Sequence, residues 1–159
     1  MAITFADLTT AFDPDQRADL LSEWHWLIGE HRLPILFAAI GNAFVQDIQD
    51  GSIHLLDAGE GKLVRVADSV DEFRGLIDEE DFVRAFFEVE AIAEMKVAGR
   101  TLQPGQVWGF IKPPVLGGTF STDNYEPTDL AVHFSIQGQI HRQVMDLPDG
   151  APVGSILLK

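Results

Sequence analysis

The spacing of apolar positions changes along the chain, and each change predicts a different element. From Asp15, "DQRADLLSEWHWLIGEH" sets Leu20, Leu21, Trp24, Leu27 and Ile28 at helical intervals and predicts a helix. Asp13 or Asp15 can cap it, Pro14 suits its first turn, and Gly29 and Pro34 end it. Residues 5–15, polar and carrying Pro14, read as an irregular entry. The period then shortens. "PILFAAIGNAFVQDI" is apolar without a helix-length stripe, and residues 42–68 read as a meander of short strands. Asp50-Gly51 and Gly59-Glu60-Gly61 supply its turns.

Helical spacing returns after the meander. Ser69 stands three residues before Glu72, a capping-box interval for a short helix over "VDEFRGLI". Phe82, Ala85, Phe86, Val89, Ile92 and Ala93 form one face of a longer helix that stops at Gly99. The acidic run Asp78, Glu79, Glu80 and Asp81 suits the positive end of that helix. "QVWGFI" reads as a strand, Pro113 and Pro114 end its ladder, and Gly117-Gly118 permits a backbone course closed to other residues. "TFSTDNYEPTD" reads as a polar loop.

In the segment 131–143, Val132, Ile136, Ile140 and Val144 recur every fourth residue, which fits helix and strand alike. Its length, an N-cap at Thr128 or Asp129, and the stop at Pro148-Asp149-Gly150 favour a helix with its apolar side in the core. Together the elements predict one α+β domain over residues 1–159, an antiparallel strand meander packed against several helices.

Composition narrows the chemistry. The chain has 159 residues and no cysteine, which excludes disulfides and thiolate chemistry and fits a reducing compartment. The first residues lack the basic and apolar regions of a signal peptide, and no apolar run reaches the roughly 20 residues of a membrane helix. A formal charge of −14 opposes direct nucleic-acid binding; it either attracts a basic partner or, as charge alone favours, only serves solubility.

Candidate catalytic and metal patterns fail on spacing. None of the 5 histidines forms H-E-x-x-H. His133 and His141 stand two helical turns apart, about 12 Å of rise, too far to share one ion without other ligands. Asp13, Asp15 and Asp19 lack the glycine and distal glutamate of a calcium loop. "AGEGKL" is not a phosphate loop, because Leu56 and Leu63 stand where glycine and Ser or Thr are required. Ser135 lies near His133, but outside any G-x-S-x-G elbow. Trp24 fits the apolar face of the first helix; Trp26 does not, and is expected to be the more exposed.

Four stretches carry a family resemblance: "IGNAFV" (40–45), "LQPGQVWGFIKPPVLGG" (102–118), "VHFSIQGQIHRQ" (132–143) and "DLPDG" (146–150). They resemble the C-terminal domain of immunity proteins against type VI secretion DNase effectors, clearest over 100–150 and looser over 35–99. The resemblance implies a small cytoplasmic protein that binds and blocks a cognate nuclease, with no enzymatic activity and no cofactor. Its matching positions are Gly109, Phe110, Pro114, Gly117, Gly118, His133, Gln139, His141 and Gln143, with Trp108 inside the same segment. Asp78, Glu79, Glu80 and Asp81 are acidic candidates to face a basic effector. The histidines and glutamines are then hydrogen-bonding groups holding the "PPVLGG" loop, or part of a partner surface. Two rivals remain: an adaptor that binds another partner through the proline-glycine segment, and a small hydrolase using His133 or His141. The hydrolase needs both imidazoles in one solvent-reachable pocket beside a carboxylate or serine.

Overall fold

Five strands follow one another across an antiparallel sheet in sequence order: β1 (Thr9–Thr10), β2 (Arg32–Ala38), β3 (Ala43–Asp47), β4 (Ile53–Asp57) and β5 (Lys62–Ala67). The computed structural model describes residues 2–159. Gly41, Gly51 and Gly61 turn the chain at positive φ, where a side chain is disfavoured. Asp47 and Asp57 steady two of those turns by accepting from the backbone N–H groups of Gln49 and Gly59. The predicted meander is therefore present, with both predicted turns.

Neighbouring strand residues face opposite ways, and here both faces are covered. One face sends Phe44, Ile53 and Leu55 into a core with Phe73, Phe87, Ile92 and Met95. Phe73, Ile92 and Met95 come from α3 (Val70–Leu76) and α5 (Val89–Val97), and Phe87 from the link between α4 (Glu80–Phe86) and α5. The other face sends Phe37, Ala43, Val45 and Leu56 against Leu20, Leu21, Trp24, Ile28 and Phe134. That side is closed by the N-terminal turns and by α6 (Leu130–Val144). A sheet buried on both faces needs apolar residues at consecutive positions, which is why β3 and β4 lack a clean alternation. The remaining elements are α1 (Phe5–Leu8), α2 (His25–Ile28), and a two-stranded sheet of β6 (Gln106–Phe110) and β7 (Tyr125–Asp129). The α+β class stands.

Four expectations are corrected. The helix predicted from Asp15 is two short 3₁₀ turns, Pro14–Gln16 and Ser22–Trp24, followed by α2. Leu20, Leu21, Trp24 and Ile28 are buried as the pattern requires, because 3₁₀ turns keep a similar spacing. The chain there lies close against α6: a methyl group on Gly138 would stand 2.7 Å from the Glu23 carbonyl oxygen. The helix predicted over residues 82–99 is broken between α4 and α5, where Glu88 takes φ 51°. The break turns Phe87 into the core and leaves Ala85 exposed. The stretch before α6 contains β7, not only loop. Its Pro127 sits opposite Trp108 in a two-stranded ribbon, where a missing N–H is tolerated. Trp26, as expected, is more exposed than the fully enclosed Trp24, on which it stacks at 5.8 Å.

The fourth correction concerns α6. It is a helix, capped by the Asp129 carboxylate on the Val132 N–H. Its buried side, however, is Leu130, His133, Phe134, Gln137, Gly138, Gln139, Ile140 and His141, while Val132 is 47% exposed. The apolar positions four apart drift around the helix, and the polar residues between them enter the core.

Candidate functional site

The two histidines of α6 hold the sheet. His133 Nε2–H donates to the Gly41 carbonyl at 2.8 Å, and His141 Nε2–H donates to the Ala58 carbonyl at 2.9 Å. Each imidazole thus satisfies the carbonyl of a turn in the meander. Burial favours their neutral forms and depresses both pKa values, that of His133 to about 4. Sealed in packing, they do not line a solvent-reachable pocket, so the geometry required of a hydrolase is unmet. Ser135 receives a hydrogen bond from Gln139. A serine–histidine contact does occur elsewhere, between Ser52 Oγ and His54 Nε2 at 2.8 Å. Ser52 is fully buried and donates its proton to Asp50 at 2.5 Å, so it presents nothing to a substrate.

The other signature residues shape backbone. The "PPVLGG" loop is held by Asn124, not by the α6 histidines: its Nδ2 donates to the Lys112 and Thr119 carbonyls. Pro114 opens a 3₁₀ turn closed by Gly117 at φ 98°. Gly118 lies so close to the Lys112 carbonyl that no Cβ fits between them, and Gly109 is closed in the same way by the Thr128 side chain. Gln139 and Gln143 tie down the last residues, accepting from the Lys159 N–H and bonding both backbone groups of Leu157. Trp108 carries the Arg100 guanidinium 4.9 Å over its ring. Asp78, Glu79, Glu80 and Asp81 lie exposed at the start of α4, with Glu80 paired to Arg84. Two groups of the expected residues thus lie apart in role: a framework that shapes backbone, buried at Trp108, Gly109, His133, Gln139 and His141, and an exposed acidic turn.

Two recesses lie over the face that packs α3 to α5. The larger, about 400 Å³, is lined by Asp7, Lys96, Arg100 and Trp108 among others. Its cations are already engaged: Lys96 pairs with Asp7 at 2.9 Å, and Arg100 donates to the Thr122 and Tyr125 carbonyls. The smaller, about 160 Å³, is lined by Ile40, Asn42, Asp57, Gly59, Glu60, Glu88, Phe110, Phe120 and Tyr125. Here acceptors remain unspent, although Asn42 Oδ1 accepts from the Ala58 N–H and Asp57 Oδ1 from the Gly59 and Glu60 N–H groups. The Glu88 carboxylate has no hydrogen-bond partner among the described residues, and burial, then Asp57, push its pKa up. The Tyr125 side chain is buried, and its hydroxyl has no partner among the described residues. Burial, then Glu88 and Asp57, raise the hydroxyl's pKa far above the usual phenol range.

Of the lining residues, Phe110 is among the family-matching positions, whereas the sequence singles out none of Asp57, Glu88 and Tyr125. Asp57 and Tyr125 lie in strands far apart in the chain, and Glu88 sits where a continuous helix was expected. The doublet Phe86-Phe87, which cannot bury both rings on one helix face, was the available signal for the break. No group of three or more His, Asp or Glu able to hold a metal ion occurs among the described residues. No described helix is long and apolar enough to cross a membrane.

Residues 67–141 match the family model described as "T6SS immunity protein Tdi1, C-terminal". The match runs from the end of β5 through most of α6, and includes Glu88, Phe110, Tyr125, His133 and His141. Of the four quoted stretches, 102–118 and most of 132–143 lie inside the match, which supports the resemblance to type VI secretion immunity proteins. No curated protein matches the sequence.

Proposed function

We propose that the chain, acting as one unit in the cytoplasm, is an immunity protein that binds a cognate secreted nuclease and neutralises it by protein–protein contact. The observation that carries this reading is the family match over residues 67–141. The formal charge of −14 supports the nature of the partner. A nuclease presents a basic cleft to its substrate, and an acidic surface is attracted to such a cleft and can occupy it. The exposed turn Asp78–Asp81 is one acidic element available for that contact. No enzymatic step is part of the proposal, and no cofactor is required.

Binding is expected to be tight and salt-sensitive, weakening roughly tenfold or more between about 0.1 M and 1 M salt as charge pairs at the rim are screened. Calorimetry against a secreted nuclease effector encoded by a neighbouring gene of the native host, once found, repeated across a salt series, measures it. A salt-independent affinity removes the electrostatic part of the proposal. Failure both to bind that effector and to protect cells from it removes the whole.

A further inference from the structure

We infer that the recess between Asp57, Glu88 and Tyr125 is a socket for a guanidinium group, filled by an arginine side chain of the bound effector. The identity of the donor rests on the immunity reading; the chemistry rests on the recess.

At about 160 Å³ the recess is well below the roughly 300 Å³ where small-molecule sites begin, so it suits the tip of one side chain. Its walls are aromatic. Phe110 and Phe120 meet edge to face at 5.7 Å, and Gly59 lies against them without a side chain. A methyl group there would stand 2.7 Å from Phe120 and 2.9 Å from Phe110. Two of its polar groups, the Asp57 and Glu88 carboxylates, keep acceptor oxygens in want of a donor. Asp57 uses Oδ1 for the Gly59 and Glu60 N–H groups and keeps Oδ2 free. Glu88 has no partner. The independent pointer to a ligand is Tyr125, only 2% exposed, whose hydroxyl reaches this recess without a hydrogen-bond partner among the described residues. The hydroxyl is open to the recess, where a bound N–H can donate to its oxygen.

The occupant must therefore be cationic, rich in N–H donors and tolerant of aromatic walls. A guanidinium meets all three conditions, with a planar fork for carboxylate oxygens and a face for the rings. An ammonium meets only the first two well. The same molecule already packs one guanidinium in this way, where Arg100 lies over Trp108 and donates to the Thr122 and Tyr125 carbonyls. Lys62, 3.9 Å from Glu60, is a rim contact and leaves Glu88 uncompensated.

Two measurements test the socket separately from the immunity reading. The first titrates the isotope-labelled protein with argininamide and with its uncharged urea analogue, citrullinamide, and follows amide shifts. Saturable shifts at Glu88, Gly59 and Tyr125 are expected with argininamide, at least about tenfold weaker with citrullinamide, and lost in Glu88→Gln. No response at these residues, or equal responses to both probes, overturns the inference. The second measures effector affinity. Glu88→Gln and Asp57→Asn should each weaken it about tenfold or more, and Asp71→Asn, the same charge change on an exposed helix face, less than about twofold. One effector arginine, replaced by glutamine, should cost nothing further in the Glu88→Gln background. Full affinity in Glu88→Gln overturns the socket and leaves the immunity reading intact. Argininamide in the recess with no effector binding upholds the socket and removes the immunity reading instead.

Discussion

Acidifying the protein from pH 7 to pH 4 is expected to remove roughly 3 kcal/mol of stability through His133 alone. In the folded chain this imidazole is fully enclosed and stays neutral down to about pH 4; in the unfolded chain it titrates near the ordinary histidine value of 6.5. Between those values the unfolded state binds more protons, so stability is fully present above pH 6.5 and falls as pH drops towards 4. His141 and His54 are depressed too, mainly by burial, and add loss in the same direction. Glu88 acts oppositely: its raised carboxyl costs stability at neutral pH and returns some on protonation. Urea midpoints taken from pH 7 to pH 4 measure the slope. In His133→Gln, whose amide can still donate to Gly41 but does not titrate, the slope should flatten by about the His133 share. Parallel pH profiles for the two proteins would refute the assignment.

The second large effect is at Trp24. Its side chain has no exposed surface, and its indole N–H donates to the Phe134 carbonyl at 2.9 Å. The ring also lies 5.5 Å from that of His141. Trp24→Ala is expected to cost about 4 kcal/mol, from lost burial and the cavity left between the N-terminal turns and α6. Trp24→Phe keeps most of the ring and loses the hydrogen bond, so about 1–2 kcal/mol is expected. Chemical denaturation of both variants checks the order and the size. An alanine variant no weaker than the phenylalanine one would mean that the turns do not clamp α6.

The meander was legible because its turn residues are specific: Gly51 and Gly61 stand where positive φ is needed, beside aspartates that accept the turn N–H groups. The capping pair was legible for the same local reason, and the Ser69 hydroxyl does accept from the Glu72 N–H. What escaped was set by distant parts of the chain. The N-terminal segment has helical spacing, but contact with the α6 backbone at Gly138 accompanies tighter turns. The buried face of α6 is polar because two turn carbonyls, at Gly41 and Ala58, need donors, and nothing near His133 or His141 in sequence announces those acceptors. The recess is less legible still. It gathers Asp57 from β4, Glu88 from a break between helices, and Tyr125 from a strand read as loop, and no spacing rule links them.

The attachment of α6 has a kinetic consequence. Its three buried hydrogen bonds span 110, 92 and 83 residues, whereas each meander strand pairs with its neighbour in the chain. Closing long loops is slow and local pairing is fast, so the meander forms first and α6 docks onto it late. Substitutions at His133 or His141 should then leave the refolding rate nearly unchanged and appear almost wholly as faster unfolding. A stopped-flow chevron of His133→Gln, with coincident refolding arms and a raised unfolding arm, is the expected record.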